Sequence, residues 1–262
     1  MAQASLRDRV PHAQEKVVIS RSGNKCGYPD CGIELTIDPQ SAGDQPKATG
    51  KVAHIAAASP GGPRYDETMT PAQRSSADNL IYLCGPHHDA IDSQLEYHTR
   101  PFLLDAKRAH EETVERAVRN ALGEVTYEEL MVVCTVIASA PAPPQQLGVE
   151  RALPLQEKID LNRLGPSSVQ RITDGLSQAA RVAGFITFQN TLKPSFGRSL
   201  VLRFKSDYYA AQAEDLEPDA VFDYLVEKAF DNAGPRDTPQ VRAAAIAVVA
   251  YLFEICEIFE RE

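Results

Sequence analysis

Cys26 and Cys31 flank the tetrapeptide GYPD, while Cys84 and His87 enclose the two residues of CGPH. A turn built on Gly and Pro brings the first two thiolates to one point. The two pairs together supply four ligands suited to a closed, tetrahedral Cys3His zinc site. His88, beside His87, is then left for different chemistry. On a helix starting near Pro86, His88 and Asp92 are four residues apart and share a face, a spacing that lets two side chains grip one cation. Asn79 stands nine residues before His88, and His54 ends a short β-like stretch that runs into a loop rich in Gly and Pro. Cys134 and Cys256 lie in apolar helical runs and read as core. His12, His98 and His110 have no partner at motif spacing and read as surface or capping residues.

The elements that must position these groups divide the chain in two. Residues 138–150 hold Pro141, Pro143 and Pro144, which forbid a continuous helix and favour an extended connection. This predicts a first domain over 1–137, a linker over 138–150 and a second domain over 151–262. Ahead of the linker, Thr126 and Glu129 stand at capping-box spacing before an apolar run, which predicts a helix belonging to either domain. The second domain reads as mostly helical: QEKIDLNRL, SSVQRITDGLSQAARV, PDAVFDYLVEKAF and a long final helix. That last helix has Thr238 as N-cap and Pro239 at its first position, and it is apolar nearly all round from Ala243 to Phe253. It must therefore be covered by its own domain or by a partner. AGFITF and RSLVLRF are open to short strands, and periodicity does not arbitrate.

Composition narrows the chemistry further. A formal net charge of -9 is the wrong sign for a protein that coats nucleic acid. The first 120 residues hold 14 Lys and Arg against 16 Asp and Glu, and the remainder holds 13 against 20, so any DNA contact belongs to the first part. Lys107, Arg108, Arg116 and Arg119 are interleaved with Glu111, Glu112 and Glu115 and predict a salt-bridged helix rather than a DNA-facing stripe. No stretch approaches about 20 uninterrupted apolar residues, and the N-terminus lacks a signal-type run, so neither membrane spanning nor secretion is expected. Five cysteines, an odd number, in a cytoplasmic protein are free or hold metal.

Three stretches, SRSGNKCGYPDC, VAHIAAASPGGPRYD and SADNLIYLCGPHHDAID, resemble the zinc-bearing HNH endonucleases of the ββα-metal kind. The zinc pairs interleave with His54, Asn79 and His88 in the order of the family's three letters. The resemblance implies an α+β protein: a small ββα-metal, zinc-ribbon domain followed by a mostly α-helical one. It implies metal-dependent hydrolysis of DNA phosphodiesters, with structural zinc at Cys26, Cys31, Cys84 and His87 and a catalytic magnesium or manganese. His54 would be the general base, His88 would hold the catalytic cation, and Asn79 would orient the loop carrying His54 or reach the metal. Many members carry an acidic residue where this chain has Ala53. Asp92 is the first candidate to supply the missing oxygen ligand and Asp66 the second, with Arg64 and Arg74 as candidate phosphate contacts.

Residues 150–262 resemble the C-terminal domain appended to effectors of ABC-three-component antiphage systems, through EKIDLNRL, RVAGFI and AVVAYLFEICEIFERE. That resemblance implies docking to an ABC-type ATPase and a small middle component; a homo-oligomer is also open. Two other functions stay in view. One is a zinc-binding scaffold or DNA-binding adaptor whose catalytic centre has decayed, with Ala53 as the trace. The other is a restriction nuclease whose C-terminal domain senses modified DNA or a nucleotide signal.

Overall fold

A computed structural model describes residues 10–41, 44, 46–139, 153–214, 216–230 and 237–256. It is mostly helical with two small antiparallel sheets, an α+β composition. The chain divides into two compact units, Met1–Glu115 and Arg116–Glu262.

In the first unit, helix α1 (His12–Ser22) ends at Gly23, whose φ of 61° lets the chain turn back on a left-handed residue. Strands β1 (Thr36–Ile37) and β2 (Lys47–Ala48) form one small pair. Strands β3 (Lys51–His54) and β4 (Leu80–Leu83) form the other, with Lys51 opposite Leu83 and His54 opposite Leu80. Between them the short helix α2 (Pro71–Ser75) is held by a capping box of Thr70 and Gln73, and a 3-10 turn spans Ala77–Asn79. Helix α3 (Gly85–Ser93) follows β4 directly and packs on β3. Helix α4 (Arg100–Ala121) comes next, and the division between the units falls within it. Cys26, Ala53, Ile55, Ile81, Leu83, Ile91 and Leu103 are buried together in the core of this unit. Each large aliphatic side chain so buried contributes about 1.5–3 kcal/mol.

The second unit contains α5 (Tyr127–Ser139), α6 (Leu155–Leu161), α7 (Pro166–Leu176), α8 (Ala179–Leu192), α9 (Phe196–Ala213), α10 (Pro218–Phe230) and α11 (Pro239–Ile255). Helix α11 is its centre and is covered by α5, α7, α8 and α10. Its residues 241–250, 252 and 253 are buried, so the unit itself covers the apolar helix that the sequence singles out. Thr238 Oγ1 accepts from Val241 N at 3.2 Å, closing the N-terminus as expected. At the other end the fully buried Lys158 donates to the carbonyls of Phe253 (2.9 Å), Glu254 (3.1 Å) and Cys256. An ammonium there satisfies carbonyls that a helix leaves without internal partners.

One open reading is settled and two expectations change. AGFITF and RSLVLRF are helical, within α8 and α9. Their buried positions explain why: Phe196, Leu200, Phe204, Tyr208 and Ala211 recur at helical spacing and face one core. The stretch predicted as one helix over 167–182 breaks at Ser177 and Gln178 into α7 and α8. The boundary between units also lies earlier than the proline-rich linker. Helix α5 belongs to the second unit because Leu130, Val133, Cys134 and Ile137 are buried and the helix packs on α9, α10 and α11. Most of the expected 138–150 linker lies outside the described residues. Among the described residues no helix is long and apolar enough to cross a membrane.

Candidate metal centre

Cys26 and Cys31 sit on the turn that follows α1, with Asp30 and Gly32 in the left-handed region. Cys84 is the N-cap residue of α3 and His87 lies in that helix's first turn. The pairing of β3 with β4 delivers Cys84 to the first knuckle, where Gly27 N donates to Tyr82 O at 2.8 Å. One ligand atom from each of Cys26, Cys31, Cys84 and His87 lies within 4.8 Å of all the others. His87 Nδ1 is 3.2 Å from Cys84 Sγ and 3.5 Å from Cys26 Sγ. Three thiols and an imidazole so grouped can hold a metal ion such as zinc.

Burial pushes the Cys26 thiol up to about 12, against the pull of backbone N–H groups from Cys84 and Tyr28. A coordinated cation reverses that preference, since metal-bound thiols are deprotonated outright. The N–H of Cys84, 3.3 Å from Cys26 Sγ, is aimed to stabilise such a thiolate. Tyr28 stacks on the His87 ring at 3.9 Å and 7°. Its hydroxyl donates to His98 Nε2 at 3.0 Å, and His98 Nδ1 donates to Gln94 O at 3.0 Å. This chain of contacts fixes the orientation of the ligand ring. His98 is therefore buried at 1% exposure rather than on the surface. His110 is half-buried and takes the capping role, its Nε2 donating to the terminal carbonyl of α1, Ser22 O, at 2.8 Å. Cys134 is core as expected, its thiol pushed up to about 12 by burial.

His54 ends β3 and is half-buried. The side chain of Asn79, buried at 4%, holds the backbone that follows it. Asn79 Nδ2 donates to Ala56 O (2.8 Å) and Arg74 O (2.9 Å), and its Oδ1 accepts from Ala56 N (3.0 Å). The amide thus ties the turn after His54 to the end of α2. His88, on α3, has Nδ1 3.4 Å from Asp89 Oδ1, an atom that also lies 3.4 Å from Lys51 Nζ. Asp89 and Lys51 were not singled out by spacing, because a strand residue and a helix residue 38 positions apart give no local signal.

The remaining predicted residues are engaged elsewhere. Asp92 Oδ1 accepts from Arg64 Nη2 at 3.2 Å. Asp66 is held below the usual carboxylate range by hydrogen bonds from Thr68 and by Arg100, which donates to it at 2.6 Å. Among the described residues, His88, Asp92 and Asp66 are not gathered into a second three-ligand group. Arg64 and Arg74, expected at phosphates, both have buried side chains spent on the protein itself. Arg74 donates to Met69 O and lies over the Tyr65 ring, and Arg64 bonds three carbonyls besides Asp92. The helix carrying Lys107 and Arg108 is salt-bridged as expected, through Lys107–Glu111 and Arg108–Asp105.

The sequence pattern of C-terminal domain 10 of the ABC-three component (ABC-3C) systems matches residues 129–260, half of the chain. The chain belongs to this family. It is a component of an ABC-3C system, which implies partnership with the system's other components. The ABC-3C domain begins inside α5, earlier than the resemblance over 150–262 suggests, and this agrees with the packing of α5 on α9, α10 and α11. No curated protein matches the chain.

Proposed function

We propose that this ABC-3C component is a metal-dependent DNA endonuclease of HNH type, the nuclease effector of an antiphage system. Residues 129–260 dock it to an ABC-type ATPase and a small middle component. The observation that carries the reading is the use of Asn79. A buried amide that gives two of its three hydrogen bonds to Ala56, two residues beyond His54, and the third to Arg74 O, beside a strand, strand and helix order that delivers His88, supports a site built around two histidines.

In this reading Cys26, Cys31, Cys84 and His87 hold one structural zinc, and the metal's contribution is to folding. His54 takes a proton from the attacking water, imidazole being the side chain that exchanges protons near neutral pH. His88 offers a ring nitrogen to a magnesium or manganese ion, which when bound supplies charge stabilisation to the phosphate and the leaving oxygen. A proton on His88 Nδ1 shared with Asp89 leaves Nε2 for that role. Magnesium is held through one or two carboxylates, with phosphate oxygens and water completing its shell. Asp92 is bonded to Arg64 and Asp66 to Arg100. Ala53 is buried at 3%, and strand alternation turns it to the opposite face from His54, so a small apolar residue there suits the core. This weakens the case for a decayed scaffold.

Incubation of supercoiled plasmid with the protein and its system partners, with and without magnesium or manganese, tests the reading. Nicked or linear product is expected only with the cation, and His54→Ala should slow it by about two to four orders of magnitude. Intact plasmid under every metal and partner condition would remove the nuclease assignment.

A further inference from the structure

Arg64 occupies a conformation its side chain disfavours, with φ at 55° in the loop after β3, yet that side chain is only 7% exposed. Its guanidinium joins three separate segments. Nε donates to Ile55 O at 2.7 Å, one residue beyond His54. Nη1 donates to Ile91 O at 2.6 Å near the end of α3, and reaches His98 O at 3.4 Å in the turn before α4. Nη2 meets Asp92 Oδ1 at 3.2 Å, also on α3. From the other side, Asn79 holds the same turn through Ala56, and Ala57 N bonds Pro63 O at 3.0 Å, closing the loop that presents Arg64.

We infer that Arg64 is a positioning residue that clamps the turn carrying His54 to the helix carrying His88, with Asp92 as its anchor. The inference rests on the nuclease reading above. A planar fork of five donors can satisfy three carbonyls and a carboxylate at once, whereas a lysine ammonium cannot hold that geometry. Strain of this kind persists where the surrounding structure over-determines it, and here the guanidinium contacts do so. The arginine acts through the spacing of the two histidines and never on the DNA.

The test compares the full-length protein with its Arg64→Lys and Asp92→Asn variants. Zinc content, plasmid cleavage, DNA affinity across salt concentrations and amide exchange are measured for each. Arg64→Lys should keep one zinc, lower kcat by about tenfold or more, and leave KM and the salt dependence of DNA binding as in the parent. Asp92→Asn, the milder change, should lower kcat in the same direction with the fold retained. Weaker DNA binding with a salt slope reduced by about one would make Arg64 a phosphate contact and overturn the clamp. A kcat per folded molecule equal to the parent's would make it a structural brace only. If the parent cuts no DNA, the nuclease reading fails on its own, and amide exchange judges the clamp. Amides of Ile55, Ala56 and Ala57 exchanging at least tenfold faster in Arg64→Lys, with β4 unchanged, support it. Unchanged exchange there overturns it.

Discussion

His87 and His88 are neighbours in sequence with divided surroundings: one ring faces two cysteine sulfurs under Tyr28, the other faces Asp89. His87→Ala should lose zinc and unfold the first unit, because structural zinc contributes on the order of 10 kcal/mol to such domains. His88→Ala should keep one equivalent of zinc and the parent's melting temperature while abolishing cleavage; metal analysis beside calorimetry separates the two. His110 provides a pH handle on stability. Burial holds it below its ordinary value of 6.5, with Lys25 and Lys107 pushing down and Glu111 and the Ser22 carbonyl pushing up. The folded state therefore keeps this ring neutral while the unfolded chain takes up a proton below about 6.5. Its contribution is present above that pH and fades as pH falls through and beneath it. Melting of the first unit should drop between pH 7.5 and 5.5, and His110→Gln should flatten that part of the curve.

At the scale of elements, α7 and α11 approach closely at Gly175. A Cβ there would sit 2.9 Å from both Ile246 O and Ala250 Cβ. Gly175→Val should overpack this contact and destabilise the second unit by about 1–3 kcal/mol, measurable by denaturant unfolding. Elements with end signals were legible in the sequence. Thr238 and Pro239 mark α11, and Thr126 with Glu129 marks α5, where Thr126 N donates to Glu129 Oε2 at 2.8 Å. Helices α8 and α9 were not, since AGFITF and RSLVLRF are apolar runs whose period shows only once the shared core is known. The Cys3His group was legible because each of its pairs is local. The contacts of Arg64, Asp92 and His98 were not legible, because Arg64 bonds backbone carbonyls and Asp92, and His98 meets a phenol, all far along the chain, and no local spacing records those.

Across the whole molecule, the Cys3His group that could hold a metal falls in the first unit and the ABC-3C match falls in the second. Heating should give two transitions, and a zinc chelator should lower one and leave the other unmoved in calorimetry. The ligand pairs also set an order of events. About fifty residues separate Cys31 from Cys84, a loop whose closure costs several kcal/mol of chain entropy before any ligand field is gained. A chain emerging from the ribosome holds only two thiols until β4 and the start of α3 have been made. Metal capture is therefore a late step, and it ties the first knuckle, the strand pair and α3 into one cooperative event. A zinc-starved cell would then accumulate the first unit unfolded beside a finished second unit.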